Sequence, residues 1–205
     1  MLYYFLEKLI ALILLVILSP IFIILFFIVK LTSKGPFFFK QLRAGKDRKP
    51  FWIYKIRTMV DEAEELKEKY RHLNQADGPV FKIDNDPRFT KIGKIIAKIG
   101  LDELPQLINI LKDEMSFVGP RPFPVEEAKK IPKIYEKRFT VKPGIFSSWV
   151  AEGAFHNDFE KWMELDLKDI ENKGFWWDLK VITKSVVFVL KLVSHLFFKF
   201  FKVPP

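Results

Sequence analysis

The chain has no cysteine, which excludes disulfides and thiolate metal sites. A cytoplasmic setting is compatible with that. It also lacks zinc-ligand spacing and any RNA-binding signature, and its phenylalanines cluster with aliphatic residues, so nucleic acid is not an expected partner. No internal repeat is present. No small-residue cleavage site follows the first apolar run, which is too long for a signal-peptide core, so a cleaved leader is not expected. What is present is a chain of 205 residues, enough for one compact domain with appendages, carrying 34 Lys+Arg against 25 Asp+Glu, a net charge of +9, and 22 Phe. That balance suits an anionic membrane surface or phosphorylated substrates.

Leu9 through Val29 is uncharged and apolar, about 21 residues, long enough as a helix for a hydrocarbon core of roughly 30 Å. Ser19 and Pro20 sit near its middle, where proline removes a backbone donor and clashes with the preceding turn, so a kink is expected. Two readings are open, a kinked transmembrane anchor or a re-entrant helix-break-helix that returns to the face it entered. Lys30, Lys34, Lys40, Arg43, Lys46, Arg48 and Lys49 follow the run and place its C-terminal end in the cytoplasm. At the other terminus, Asp178 to Lys202 is rich in Val, Phe, Leu and Ile, with Lys180, Lys184, Lys191, His195, Lys199 and Lys202 set into it. On a helix these six fall within an arc of roughly 100°. A basic stripe opposite a broad apolar face that includes Phe197, Phe198, Phe200 and Phe201 reads as a helix lying in the membrane interface.

Between these ends, residues 37–42 and 51–56 are aromatic and β-branched, separated by Ala44 to Pro50, and predict a β-hairpin. Asp61 to Leu73 has the charge spacing of a solvated helix. Gln75 to Thr90, with Gly78, Pro79, Asn85 and Pro87, reads as loop. Ile92, Ile95, Ile96 and Ile99 mark a short helix, and Leu104, Leu107, Ile108 and Leu111 the buried face of another. Asp102 stands where an N-cap belongs, with Pro105 tolerated in the first turn. A carboxylate there also suits chemistry, because the helix end favours its ionised form and offers free N–H groups to phosphate oxygens. Arg121, fixed between Pro120 and Pro122, is restricted enough to aim its fork at a phosphate. Lys55, Arg57 and Arg88 are either ordinary strand and loop charges or further phosphate partners.

Taken together, Ser19-Pro20, Lys55-Ile56-Arg57-Thr58-Met59, Gly78-Pro79-Val80-Phe81-Lys82, Asp86-Pro87-Arg88-Phe89-Thr90, Leu101 to Gln106, Met115 to Pro122 and Val141 to Ile145 resemble the bacterial sugar transferase family. These are the monotopic phosphoglycosyl transferases that act on polyprenyl phosphate. The resemblance implies transfer of a sugar 1-phosphate from a UDP-sugar donor to a polyprenyl (undecaprenyl) phosphate acceptor, with release of UMP, through a covalent phosphosugar on an aspartate and with Mg²⁺. It implies Asp102 as nucleophile and Mg²⁺ contact, Glu103 as its supporting carboxylate, and Lys55 and Arg121 as basic residues of the site, to which we add Arg57 and Arg88. It makes the Ser19-Pro20 break re-entrant. The expected fold is α+β, a small, mostly helical catalytic domain with a β-hairpin. Residues 1–34 form the re-entrant membrane helix, 35–178 the catalytic domain and 179–205 an amphipathic interface helix. Membrane lipids are then partners, the catalytic domain faces the cytoplasm at the inner membrane, and the oligomeric state is left open.

The chain departs from the family text at two places. After Ile145 the usual Thr-Gly, an aromatic or Leu, Ala-Gln-Val and Asn-Gly-Arg become Phe146 to Ala154. The expected glutamine falls at Val150 and the expected arginine at Ala154, with His156 nearby as a substitute base. Lys112-Asp113-Glu114-Met115 replaces the usual Lys-Gly-Asp-Met, a milder change. The altered 146–154 segment motivates the competing expectation of a non-catalytic membrane protein that binds polyprenyl phosphate or a partner transferase.

Overall fold

Pro20 divides the apolar run as its chemistry requires. In the computed structural model, which describes residues 2–153 and 157–201 with side chains through residue 195, helix α1 (Leu2–Ile17) ends at the break and α2 (Ser19–Thr32) restarts with the proline in its first turn. The missing proline N–H costs nothing there, and Ser19 Oγ donates to the carbonyl of Val16 (2.8 Å). The two axes bend by 57°. Among the described residues no single helix is long and apolar enough to cross a membrane, whereas the bent pair meets that criterion jointly.

Both outer ends of this pair are tied to the same body. Near the start of α1 the buried Glu7 carboxylate accepts from Ser116 Oγ and from the Phe117 N–H (2.9 Å). Lys8 pairs with Asp113 at 2.7 Å, and the Tyr3 hydroxyl donates to Asp178. Past the end of α2, Arg57 Nη2 donates to the carbonyl and hydroxyl of Ser33 (3.1 and 3.0 Å). Between these anchors most of the apolar side chains stay exposed, Ile17, Ile23 and Leu31 among them.

Strands β1 (Phe38–Ala44) and β2 (Pro50–Ile56) form the expected antiparallel hairpin, with Phe38 opposite Ile56 and Ala44 opposite Pro50. Alternation along β2 sends its two faces into two cores. Phe51 and Ile53 join Ala11 of α1, Leu107, Ile110, Met115 and Val118. Ile56, on the other face, joins Leu25, Val29, Phe37 and Ile96. The free edge of β2 is satisfied by a helix side chain: Asn109 accepts from the Tyr54 N–H (3.2 Å) and donates to the Trp52 carbonyl (2.7 Å).

Downstream the helical expectation for Asp61 to Leu73 fails in part. Only α3 (Leu66–Lys69) is α-helical. Arg88 Nη1 takes the Ala63 carbonyl (2.9 Å), so the Lys67 N–H falls back on Glu64 (3.2 Å) and the first turns do not extend into a helix. Residues 75–90 are loop and turn, as expected, and α4 (Lys91–Lys98) starts at a Thr90 cap that accepts from the Gly93 N–H. Gly100, in the left-handed region at φ 74°, then reverses the chain into a single 3-10 turn, Leu101–Glu103, before α5 (Gln106–Leu111). Asp102 is therefore not an N-cap, for the turn and α5 carry no side-chain cap bond. Nor is the α5 face the predicted one. Leu107 and Ile110 are buried, while Leu104, Ile108 and Leu111 are half-buried, because α5 is wedged between α1 and β2.

The remaining elements were not predicted. β3 (Ser116–Val118) and β4 (Gly144–Phe146) pair in parallel, and α6 (Val125–Ala128), α7 (Ser148–Ala151) and α8 (Phe159–Glu171) surround a third core of Phe123, Trp149, Trp162 and Met163. Helix α9 (Phe175–Phe201) takes in the predicted C-terminal segment as far as Phe201. Its Val181 and Ser185 are buried, whereas Lys180, Lys184, Lys191 and His195 are exposed beside exposed Leu179, Val186, Val187, Leu190 and Val193. Ala154, His156 and Lys202 lie outside the described residues, as do the side chains of Phe197, Phe198, Lys199, Phe200 and Phe201. The fold is α+β, mostly helical with two small sheets.

Candidate active site

Three chain segments converge on one cavity of about 340 Å³. β2 supplies Lys55, which shares the face of Phe51 and Ile53 and is carried by them toward α5 and the preceding turn. The 3-10 turn supplies Asp102 and Glu103. The segment after β3 supplies Arg121, whose path is set by a close backbone crossing. A Cβ on Gly144 would lie 2.1 Å from the Gly119 nitrogen, so β4 can run beside Gly119-Pro120-Arg121 only without a side chain there.

The two carboxylates are held differently. Glu103 Oε1 accepts from Lys55 Nζ (2.8 Å) and from Arg121 Nη2 (2.6 Å), and Oε2 faces Arg121 Nη1 at 3.4 Å. Asp102 Oδ2 accepts only from Lys55 (3.3 Å), and among the described residues its Oδ1 makes no hydrogen bond. Their acidities diverge accordingly. Burial raises the Asp102 carboxyl above its ordinary value, the neighbouring Glu103 charge adds to this, and Lys55 and Arg121 only partly oppose it. For Glu103 burial acts in the same direction but loses to the charges and hydrogen bonds of Arg121 and Lys55, which hold it below the usual carboxylate range. Glu103 is thus the clamped, ionised partner, and Asp102 carries the uncommitted oxygen.

Lys55 and Arg121 are brought to the dyad as the sequence suggested. Arg57 and Arg88 also line the cavity, but their hydrogen bonds are made elsewhere. Arg88 grips Asp86 through Nε (2.9 Å) and Nη2 (2.6 Å), with both side chains almost fully buried. The Arg57 guanidinium turns to Ser33 and is covered by Gly35, at φ 106°, where a Cβ would lie 1.8 Å from Nη1. One arginine fixes the loop wall and the other fixes the exit of α2. Ser19 and Pro20 sit exposed at the bend and are not part of the cavity wall.

Besides Lys67, which pairs with Glu127 (3.2 Å), sequence reasoning missed two further cations on this wall, Lys82 and Arg43. Arg43 Nη1 donates to the Pro122 carbonyl (2.8 Å), and burial together with the Arg121 charge pushes its pKa down to about 10. Both belong to segments already in view, β1 and the Gly78 to Lys82 stretch, but nothing in their spacing tells an inward lysine from an outward one. None of residues 146–153 of the atypical segment lines the cavity, although the Trp149 ring lies 5.9 Å from the Arg121 guanidinium. Ser148 is bound to Asp169, and Trp149 stacks on Trp162 at 4.0 Å. At the other departure, Asp113 occupies a left-handed conformation (φ 68°) in the place of the usual glycine, and its carboxylate is paired with Lys8 and Lys142.

A family model described as bacterial sugar transferase matches residues 1–192. The chain is 41% identical over 157 residues to the galactosyl transferase CpsE of Streptococcus agalactiae, covering 76% of this chain and 35% of that protein. It is 36% identical over 188 residues to the UDP-glucose:undecaprenyl-phosphate glucose-1-phosphate transferase of Escherichia coli, covering 88% and 38%. The uncharacterized sugar transferase EpsL of Bacillus subtilis is 37% identical over 163 residues, covering 80% and 74%. The chain thus spans well under half the length of the first two relatives and most of the third.

Proposed function

The chain belongs to the bacterial sugar transferase family, and from that premise we propose that it moves a sugar 1-phosphate from a UDP-sugar to polyprenyl phosphate, releasing UMP. The observation that carries this reading is the asymmetry of the dyad, an aspartate oxygen without a hydrogen bond beside a glutamate fixed by Lys55 and Arg121. A carboxylate so arranged is a nucleophile held at a site of positive charge. An Asp102 oxygen attacks the sugar-bearing phosphorus of the donor. The bond to the bridging oxygen breaks, and UMP leaves with the electron pair. An oxygen of polyprenyl phosphate then attacks the same phosphorus, frees Asp102 and forms the lipid diphosphate-linked sugar. Lys55 and Arg121 hold Glu103 and bring positive charge to the transferred phosphoryl group.

Magnesium fits this donor set. Among the described residues no three carboxylate or histidine side chains are placed to cage a metal, but Mg²⁺ commonly takes one or two protein carboxylates and fills its remaining positions with substrate phosphate and water. Asp102, with Glu103 beside it, would hold it, and it would supply charge neutralisation at the diphosphate.

The bent helix pair supports a re-entrant anchor. Glu7 and Lys8 at one end and Ser33 at the other meet the same catalytic body, and each arm, at 1.5 Å per residue, is about 20–25 Å long and shorter than a hydrocarbon core of roughly 30 Å. On this reading residues 1–34 enter and leave one leaflet, 35–178 form the catalytic domain, and 179–205 lie in the interface, all on the cytoplasmic face of the inner membrane. The test is UMP release from a panel of UDP-sugars with undecaprenyl phosphate. Turnover that vanishes in a folded Asp102→Asn protein supports the assignment, and turnover that persists overturns it. Lipid binding without UMP release from any donor favours a non-catalytic binding protein instead.

A further inference from the structure

Among the described residues one cation on the cavity wall, Lys82, has no ion-pair partner. Its ammonium makes no hydrogen bond among them either, although the backbone of Lys82 is bonded to Asn74 and Gln75. The other basic side chains around it are committed. Lys55 and Arg121 serve the dyad, Lys67 pairs with Glu127, and Arg88 pairs with Asp86. Arg43 is half committed, with Nη1 on the Pro122 carbonyl and a buried Nε without a partner. Burial, with repulsion from Arg121 and Lys55, pulls the Lys82 ammonium below the ordinary lysine pKa against the weaker pull of Asp84 and Asp102. A half-buried amine whose charged form is disfavoured in this way is stabilised by an anion that joins it. Lys82 touches neither dyad carboxylate, yet it is close enough to feel the Asp102 charge. It therefore shares the cavity with the dyad while leaving Lys55 and Arg121 alone in bonding to the dyad carboxylates.

We infer that Lys82, backed by Arg43, binds the nucleotide-side phosphate of the donor, the one that departs as UMP. The inference rests on the function proposed above and adds a division of labour to it. Lys55 and Arg121 serve the phosphoryl group that is transferred, and Lys82 serves the one that leaves. When the bond between the sugar-bearing phosphorus and the bridging oxygen breaks, the electron pair stays on the UMP oxygen and the ammonium meets that charge without giving up a proton. The second displacement, by the lipid phosphate, begins after UMP has gone and does not need Lys82.

The test uses the full chain in detergent micelles, with UMP as probe. For Lys82→Met, the UMP dissociation constant by titration calorimetry and the KM for UDP-sugar are both expected to rise roughly 10- to 100-fold, while the KM for undecaprenyl phosphate stays at the wild-type value. Lys82→Arg is expected to recover most of the loss. In the unaltered protein, saturating UMP slows acetylation of Lys82 by acetic anhydride, followed by peptide mass. Wild-type protein that releases UMP, together with a folded Lys82→Met variant that binds UMP equally tightly, overturns this inference alone, as does acetylation of Lys82 that UMP leaves unchanged. A wild-type protein that neither binds UMP nor turns over any UDP-sugar overturns the inference and the proposed function together.

Discussion

Two acidic clusters in this molecule each set two carboxylates beside an arginine, and they differ in what surrounds them. At the cavity, Asp102 and Glu103 face Arg121 and Lys55. Beneath it, Asp166 and Asp169 on α8 lie in the interior, with Arg138 bonded to Asp166 (2.8 Å) and Asp169 accepting from Ser148 and Trp177. In each cluster one aspartate oxygen is left over. Among the described residues the buried Asp166 Oδ1 has no partner, and burial pushes that carboxyl up to about 6 despite Arg138. Asp102, by contrast, lines an open cavity, and its spare oxygen is available to substrate. Access separates the proposed nucleophile from the interior acid more sharply than the company each one keeps. The clusters are also connected, because Arg138 Nη2 donates to the Arg121 carbonyl (2.9 Å).

The largest expected effect separates the clusters by readout. Asp102→Asn lowers UMP release by roughly a thousandfold or more without lowering the melting temperature, since it removes a buried charge. Loss of stability in that variant would erase the distinction. Arg138→Met acts in the opposite way. It strands a buried carboxylate and costs about 3–5 kcal/mol by chemical denaturation. Arg88→Met, which breaks the buried pair with Asp86, is expected to behave like Arg138→Met. A selective rise in donor KM at unchanged stability would instead move Arg88 into the substrate site. Glu103→Gln keeps the fold but weakens the hold on Lys55 and Arg121, and UMP release falls about 10- to 100-fold. The smallest effect is electrostatic. The folded Asp166 carboxyl titrates near 6, above its ordinary 3.8, so between those values the folded state binds the proton more tightly. Its contribution to stability therefore grows as pH falls through 6 and is lost as pH rises, about 1 kcal/mol between pH 7 and 5. Asp166→Asn abolishes that increment in parallel melts at the two values.

What the sequence revealed depended on how local the cause was. The hairpin, the break at Pro20 and the short helix over Lys91–Lys98 follow from alternation, ring chemistry and apolar spacing, whereas the ion pairs that Lys55 and Arg121 make with Glu103 are not written in any local pattern. The capping role read for Asp102 failed because Gly100 inserts a left-handed residue and a tight turn before α5. The Asp61 to Leu73 helix failed because a side chain 25 residues downstream takes its Ala63 carbonyl. Arg88 is two residues from the acid that occupies it, yet adjacency does not reveal that the pair is buried. β3 and β4 are three residues each, too short for any periodicity. Helix α8 had a readable signal that was not used, an Asp158 cap followed by Phe159, Trp162, Met163 and Asp166 at helical spacing.

The anchoring of α1 also carries a schedule. Glu7 finds its hydrogen-bond donors at Ser116 and Phe117, 109 and 110 residues downstream. At a ribosomal pace of about 5–20 residues per second, roughly 5–20 seconds pass between the synthesis of that carboxylate and the synthesis of its partners. For that interval α1 is an apolar helix with an unanswered acid, and docking it correctly must follow, not precede, formation of the β3 segment that aims Arg121. This apolar stretch is made well before the segment that seats it.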